Sequence, residues 1–315
     1  MAERRLVYVL NPAAGHGKYL PEARRAAEAA HANEIHLTEG VCDCTNYIAE
    51  VCVRDPDTHF VVYGGDGTAG EAVTGIMRAG AGNRALFTAV PCGSGNDFIR
   101  GIAEFSPLPG EEHILLDLIS VNGRYVLNML NIGFDCDVVI ASENMRRRRF
   151  VPNGLSYILG VGSVLAHKKS FHAALDLGGV WEHGCDSLKD EHIEGEFLLT
   201  SAGNLPFCGG GFKAAAAADP SDGFMDLLLV RDLSRARFVS LVGDYRKGTH
   251  VNPETWTPCP AFRDILEYKR CRSLQMDGVS HICLDGEVIP VSGVRAEVVP
   301  RAIRYLPSAK PGDRR

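Results

Sequence analysis

The stretch Phe60-Val-Val-Tyr-Gly-Gly-Asp-Gly-Thr68 decides how the N-terminal part of this 315-residue chain folds. An apolar run that ends in glycines, followed by a helical pattern from about Ala69, predicts a buried strand, a tight turn and a helix. Glycine permits positive φ and a close approach of the backbone to an anion, and the first turn of a helix offers unpaired N–H groups. The stretch therefore predicts a phosphate-binding turn.

This turn has a rival interpretation, because residues 65–70 also satisfy the pattern G-x-G-x-x-G of dinucleotide-binding oxidoreductases. Those proteins need a ribose-binding carboxylate about 20 residues further on. The sequence has no Asp or Glu between Glu71 and Asp97. Asp66 inside the turn would repel phosphates unless a cation lay between them, so it favours Mg²⁺ and phosphoryl transfer. A helix-capping Asp is the simpler alternative.

Working outward, the first third alternates short apolar runs with helical patterns, which predicts a parallel sheet with right-handed crossovers. The strands are predicted at residues 6–10, 34–38, 60–63 and 86–91. From about residue 114, strands and turns dominate and predict a mainly antiparallel part, interrupted by helices near 153–168 and 234–247. Ser234 is the expected N-cap of the second helix.

The length and the 45% of hydrophobic residues are sufficient for two cores. We expect an α/β domain over 1–120, completed by 291–310, then a β-rich domain over 121–290 and a disordered tail at 311–315. The apolar run 6–10 is too short for a signal-peptide core, which predicts a cytoplasmic protein. With neither C-x-x-C pairs nor zinc-like spacing, the ten cysteines are expected to be reduced.

Two further glycine loops follow predicted strands, Asn11-Pro-Ala-Ala-Gly-His-Gly17 and Pro91-Cys-Gly-Ser-Gly-Asn-Asp97. Strand ends of a parallel sheet meet at one edge, so the three loops are expected to converge. Together with Asp219-Pro-Ser-Asp-Gly-Phe-Met-Asp226 and Leu284-Asp-Gly-Glu287, they resemble the diacylglycerol kinase catalytic domain, in its bacterial soluble lipid kinase (diacylglycerol/sphingosine kinase-like) branch. The Gly-Asp-Gly turn alone is shared with NAD kinases and phosphofructokinases.

The resemblance implies an α/β three-layer nucleotide-binding domain of the NAD kinase/phosphofructokinase type, followed by a mainly antiparallel β-sandwich. It also implies an ATP site. The residues carried over to that site are Asn11, Thr38, Gly65, Asp66, Gly67, Thr68, Glu71, Ser94 and Asn96. Thr38 is carried over by alignment alone. Gly70 departs from the family, which usually has Asn there, and this puts one local polar contact in doubt.

Two magnesium sites and a general base are implied in the same way. Asp66, Asp97 and Asp117 would organise a catalytic Mg²⁺ through water. A second, structural Mg²⁺ would be held by the Asp222 side chain and the carbonyls of Asp219 and Phe224, although the same residues suit an ordinary turn between strands. Glu287 would accept the proton of a lipid hydroxyl, whereas without the family an Asp-Gly hairpin turn is the simpler interpretation.

A basic surface is predicted beside an apolar stretch in a chain whose net charge is −6. The basic residues are Arg146, Arg147, Arg148, Arg149, Lys168 and Lys169. The apolar residues between them are too few for a transmembrane span and contain Pro and Gly. A basic cluster beside an apolar helix can dock on an anionic membrane, although it can also be an ordinary solvated face. The acidic remainder of the chain argues against nucleic acid as a partner.

The sequence therefore predicts an ATP- and Mg²⁺-dependent lipid kinase of phospholipid metabolism, peripheral to an anionic membrane, with diacylglycerol as the expected substrate and phosphatidic acid as its product. Sphingoid bases, ceramide, monoacylglycerol and polyprenols stay open as substrates. The rival functions are an NAD kinase-like enzyme acting on a soluble metabolite and a non-catalytic lipid sensor. The oligomeric state is open, with a homodimer among the alternatives.

Overall fold

The structure is a computed structural model that describes residues 4–93, 95–146, 153–167, 169–185 and 187–308. Its contacts divide the chain into two compact units. Unit 1 comprises residues 1–118, 220–223 and 299–315, and unit 2 comprises 119–219 and 224–298. The chain therefore leaves unit 1 and returns to it more than once.

Unit 1 begins with four strands and four helices in strict alternation. They are β1 (Leu6–Leu10), α1 (Leu20–Ala29), β2 (Glu34–Leu37), α2 (Asp43–Arg54), β3 (His59–Gly64), α3 (Asp66–Arg78), β4 (Leu86–Pro91) and α4 (Asp97–Ile102). The strands pair in parallel in the order β4-β3-β1-β2. Their middle residues are buried because helices cover a parallel sheet on both faces.

This strand order places the glycine loops. The connection after β1 runs to β2 on one side of the sheet, while β3 lies on the other side, so the order reverses between β1 and β3. Such a reversal opens a crevice at the carboxyl ends of the two strands, where α/β proteins bind ligands. The loops that follow β1 and β3 therefore border the crevice, as expected from the sequence.

Unit 2 is built mainly from antiparallel strands and three helices. In chain order they are β5 (Ile114–Val121), β6 (Arg124–Val126), β7 (Met129–Gly133), α5 (Phe134–Arg146), α6 (Asn153–Ala166), β8 (Phe171–Val180), β9 (Lys189–Gly203), β10 (Met225–Arg231), α7 (Arg235–Lys247), β11 (Val251–Asn252), β12 (Thr257–Pro258), β13 (Leu266–Cys271), β14 (Ser273–Asp277), β15 (His281–Leu284), β16 (Glu287–Pro290) and β17 (Val294–Tyr305). The first strand and the last extend across the division between the units.

The strands of unit 2 run in the order β16-β15-β7-β9-β8-β14-β17, with β10 joined to β9 and β13 joined to β10. Every pair that the register defines within this unit is antiparallel. Two apolar clusters form its core; one lies between strands, and the other includes residues of α5, α6 and α7. The last residues of β17 return to unit 1, where Arg304 and Tyr305 pair in parallel with Leu86 and Phe87 of β4.

The predicted fold class, an α/β domain followed by a β-rich antiparallel domain, is confirmed. Ser234 caps α7 as expected, because its hydroxyl accepts a hydrogen bond from the Arg237 N–H at 3.3 Å. The sequence did not predict α5, β8, β13 or β14. Within the described residues, no helix is long and apolar enough to cross a membrane.

Candidate active site

The turn between β3 and α3 has no room for a side chain at its first glycine. A Cβ on Gly64 would collide with the side chain of Thr68 one helical turn later. The Thr68 hydroxyl instead accepts a hydrogen bond from Asn11 Nδ2 at 2.8 Å, and the Asn11 N–H donates to the Tyr63 carbonyl at 3.0 Å. The structure thus brings the loop after β1 onto the first turn of α3.

The loop after β4 lies against the same turn. A Cβ on Gly93 would stand 2.7 Å from the Gly65 Cα, so the two backbones touch where neither has a side chain. Asn96 holds the loop in shape, since its amide donates to the Gly93 carbonyl at 2.9 Å and accepts from the Gly93 N–H at 3.0 Å. Asn96 has a φ of 54°, which asparagine tolerates better than most residues. Gly65, Asp66 and Asn96 line one small cavity.

Two carboxylates meet at this junction. Asp66 Oδ1 accepts a hydrogen bond from the Phe98 N–H at 3.0 Å, and the buried Asp97 receives Arg100 Nη1 on its Oδ1 at 2.5 Å. The second oxygen of each faces Gly95, because a Cβ on Gly95 would lie 2.9 Å from Asp66 Oδ2 and 3.7 Å from Asp97 Oδ2. One oxygen of each carboxylate therefore lies close to Gly95.

The side chain of Asp117 is fully buried and accepts hydrogen bonds from backbone N–H groups. Its Oδ1 accepts the Arg301 N–H at 2.6 Å, its Oδ2 accepts the Gly223 N–H at 2.7 Å, and its own N–H donates to the Pro220 carbonyl at 2.6 Å. These bonds hold the turn 220–223. From the sequence, Asp117 was expected to help organise a metal ion. Its hydrogen bonds to the backbone of distant residues were not expected.

The remaining predicted ATP-site residues have these positions. Thr38 follows β2 and donates its N–H to the Leu10 carbonyl at 2.9 Å. Glu71 lies on α3, where its Oε1 accepts the Cys42 N–H at 3.1 Å. Gly67 is exposed in the first turn of α3. Ser94 lies outside the described residues.

The predicted structural-cation residues lie in one short turn. Asp219, Asp222 and Phe224 are all partly buried, and Gly223 between them has a φ of 82°, which favours glycine. Across the part of the chain that the structure describes, no three His, Cys, Asp or Glu side chains converge as a metal-binding group. A cation here would thus depend on backbone carbonyls and water, as Mg²⁺ sites often do.

Glu287 begins β16 directly after a two-residue hairpin turn and is exposed. The turn residues Asp285 and Gly286 have φ values of 47° and 93°, as a type I′ hairpin requires. The Asp285 carboxylate accepts three backbone hydrogen bonds, from the N–H groups of residues 127, 128 and 129 at 2.8, 3.0 and 2.8 Å. Sequence reasoning assigned Asp285 only to the turn and missed this anchoring role.

The predicted basic surface is described only in part. Arg146 is the last residue of α5 and Lys169 is exposed, while Arg147, Arg148, Arg149 and Lys168 lie outside the described residues. Arg235, which sequence reasoning missed, donates to the carbonyls of Leu165 and Ala166 at 3.0 and 2.7 Å. It therefore satisfies the C-terminal end of α6, where cations are favoured.

Two features of unit 2 were not expected. Burial raises the pKa of Asp135 in α5 to about 6, and the Tyr245 hydroxyl lies 3.5 Å from its Oδ2. An open depression of about 830 Å³ lies on the polar face of the sheet, lined by residues such as Asp176, His192 and Gln275. None of the predicted site residues within the described ranges lines that depression.

The chain matches two known family models. Residues 5–119 match the family described as "Diacylglycerol kinase catalytic domain", and residues 128–307 match the one described as "YegS C-terminal NAD kinase beta sandwich-like domain". The second match alone covers more than half of the chain. The chain belongs to the diacylglycerol kinase-like family. It is accordingly a kinase, and the resemblance inferred from its sequence motifs is confirmed.

Relatives of this kinase include a Staphylococcus aureus (strain MRSA252) protein that is provisionally named a lipid kinase. It is 26% identical over 285 residues, which cover 86% of this chain and 85% of the relative. A crystal structure of a diacylglycerol kinase from Bacillus anthracis str. Sterne matches with a TM-score of 0.66 at 17% identity and covers 97% of each chain. At that identity the structural likeness concerns the fold alone.

The kinase should lose stability when Asp117 is changed to Asn, because an amide N–H₂ would face a backbone N–H that now donates to a carboxylate. We expect a loss of about 2–3 kcal/mol in the free energy of unfolding, measured by urea denaturation. Asp55→Asn is the control, since the hydrogen bond that the described residues give to the Asp55 carboxylate is a local one, from the Asp57 N–H at 3.2 Å. Equal unfolding midpoints for the two variants would contradict the role given to Asp117.

Proposed function

We propose that this kinase transfers the γ-phosphoryl group of ATP to a lipid hydroxyl, with diacylglycerol as substrate and phosphatidic acid as product. The observation that carries the proposal is the convergence of Asn11, Asp66 and Gly93 on the first turn of α3. Backbone N–H groups at a helix start, reached without side chains in the way, suit the phosphates of a nucleotide. A carboxylate among them suits a nucleotide that arrives with a cation.

The residues present fit Mg²⁺ at this turn. One oxygen each of Asp66 and Asp97 lies close to Gly95, and carboxylate oxygens are donors that Mg²⁺ accepts. Asp66 and Asp97 would hold the ion through water, while Asp117 holds the turn 220–223 through hydrogen bonds. The ion, when bound, would neutralise charge on the β- and γ-phosphates. A second Mg²⁺ at Asp219, Asp222 and Phe224 belongs to the same proposal.

Glu287 is the proposed general base. An exposed carboxylate directly after a rigid two-residue turn is available to a hydroxyl that approaches from solvent. Its task would be to accept the hydroxyl proton as that oxygen attacks the γ-phosphorus. The turn cannot drift far, because Asp285 is bonded to the backbone of residues 127–129. A fixed position is what such a base needs.

A lipid acceptor is favoured over a soluble metabolite because the curated relatives that match over most of the chain are provisionally named lipid kinases. Diacylglycerol is proposed from the family to which the N-terminal residues belong. Sphingoid bases, ceramide and polyprenols carry a similar hydroxyl beside apolar chains and are the alternative acceptors. The enzyme would then work in the cytoplasm, with ATP, at an anionic membrane.

Labelled ATP with Mg²⁺ and a panel of lipids in mixed micelles tests the proposal. The wild type should label diacylglycerol, while Asp66→Ala and Glu287→Gln should each lower the rate by about 10²-fold or more, since one loses a metal-site carboxylate and the other the base. Glu297→Gln is the matched control, because Glu297 is an exposed glutamate of β17. Labelling of NAD or a sugar phosphate without any lipid would refute the lipid substrate, and no labelling at all would favour a lipid sensor.

Gly95→Ala should weaken the use of Mg²⁺, because its Cβ would enter the space between the two carboxylates. We expect the Mg²⁺ concentration at half-maximal rate, and the Mg²⁺ needed to raise the unfolding temperature in the presence of ATP, to rise about tenfold. Gly40→Ala is the control, since a Cβ there would meet nothing within 4 Å. An identical Mg²⁺ dependence in both variants would argue against this site.

Membrane docking through the basic residues Arg146–Arg149, Lys168 and Lys169 completes the proposal. The end of α6 packs on the unit 2 core through Val161, Val164 and Leu165, so charge rather than an apolar face would supply the attraction. Each basic residue near an anionic leaflet contributes about 1 kcal/mol. Co-sedimentation should show binding to phosphatidylglycerol vesicles that falls with salt and with Lys168→Glu and Lys169→Glu. Equal binding to neutral phosphatidylcholine vesicles would contradict docking by charge.

A further inference from the structure

The hairpin that carries Glu287 is bonded to one short segment of unit 2. Asp285 accepts the N–H groups of Leu127, Asn128 and Met129, and its own N–H donates to the Met129 carbonyl at 3.1 Å. Four hydrogen bonds therefore join the turn to residues 127–129. The position of the Glu287 backbone depends on where that segment lies.

The same segment holds a second turn through Asn128. Its Nδ2 donates to the Phe207 carbonyl at 2.7 Å, and its carbonyl accepts the N–H groups of Asn204 and Leu205 at 2.9 and 3.3 Å. Directly after Phe207, the N–H groups and carbonyls of Cys208 and Phe212 exchange two hydrogen bonds of 2.8 Å. The three glycines that these bonds enclose, 209 to 211, have φ values of 58°, 79° and 111°.

We call residues 208–212 the triple-glycine turn. Gly209 and Gly210 are exposed, so the turn presents backbone rather than side chains to solvent. Positive φ at three successive positions suits glycine and excludes most other residues. The bond from Asn128 to Phe207 is one link between this turn and the segment that holds the Glu287 hairpin.

Stability alone gives a poor account of an asparagine at this position. Asn128 is only 4% exposed, and within the described residues its Oδ1 has no hydrogen-bond partner. A buried oxygen without a partner costs free energy, and a side chain without polar atoms avoids that cost. A group kept in this state suggests a role in function.

We propose that Asn128 is a positioning residue for phosphoryl transfer, which holds the Glu287 hairpin and the triple-glycine turn in a fixed mutual arrangement. The inference rests on the proposed role of Glu287 as base. The Asn128 backbone N–H is bonded to the hairpin, and its side chain donates to the Phe207 carbonyl at the start of the glycine turn, so a shift of either turn acts on this residue. Displacement of a base by about 1 Å can lower a rate about 10²-fold.

The test compares Asn128→Asp with Asn122→Asp. Each change replaces an amide that donates to a backbone carbonyl, in the second case the Gly293 carbonyl at 2.9 Å. Asn128→Asp should lower kcat for lipid phosphorylation by about tenfold or more and leave the KM for ATP within about twofold. It should also speed amide hydrogen exchange in peptides covering 203–212 and 282–290. Asn122→Asp should change none of these.

Asn128→Leu is the second variant, in case the charge at residue 128 prevents folding. It keeps the branched shape of the side chain and removes the hydrogen bond to the Phe207 carbonyl, so a folded protein with slower transfer and faster exchange in both peptides is expected. Unchanged exchange in 282–290, or an unchanged kcat, would overturn the proposal. If neither variant folds, Asn128 is a structural residue and the positioning role is wrong.

Different results would refute the proposed lipid kinase activity and the positioning role of Asn128. A wild-type protein that labels no lipid would refute the proposed function whatever its hydrogen exchange. A wild type that labels lipid, with a folded Asn128→Leu that is fully active, would refute only the role of Asn128. The exchange measurement needs no turnover, so it decides the physical link between the two turns in either case.

Discussion

The contact between glycine backbones at the carboxyl edge of the unit 1 sheet is the constraint on which the rest of the site depends. Gly64 leaves room for Thr68, and Gly65 and Gly93 approach each other with no side chain between them. A Cβ on Gly93 would lie 2.7 Å from the Gly65 Cα, so the two turns would have to move apart. Close packing of bare backbone therefore determines where the carboxylates stand.

The four aspartate carboxylates described above have two different roles. Asp66 and Asp97 each accept a hydrogen bond on one oxygen and place the other near Gly95. Asp117 and Asp285 give their oxygens to backbone N–H groups and hold a turn. Carboxylates bonded to several N–H groups are strong, directional anchors for irregular chain. The same residue type thus builds the scaffold and, in the proposed function, holds the metal ion.

The features that could be predicted from the sequence are those that depend on residues close together in the chain. The strand, turn and helix around Asp66 follow from an apolar run and its glycines, and the N-cap of α7 follows from Ser234. Helix α5 escaped prediction because Asp135, Asp137 and Ser142 interrupt the apolar pattern on which such predictions depend. The anchoring roles escaped for another reason. Asp285 bonds residues 156 to 158 positions earlier, and Asp117 bonds a residue 184 positions later. No local pattern encodes such partners.

The path of β17 also bears on how the protein is made. The strand that completes the edge of the unit 1 sheet, through Arg304 and Tyr305 against β4, is the last one in the described chain. During translation, the segments of unit 2 are synthesised before the end of that strand. The β4 edge of the unit 1 sheet therefore stays unpaired for most of translation, when chaperones can bind it. It closes only after the β-rich unit has been synthesised.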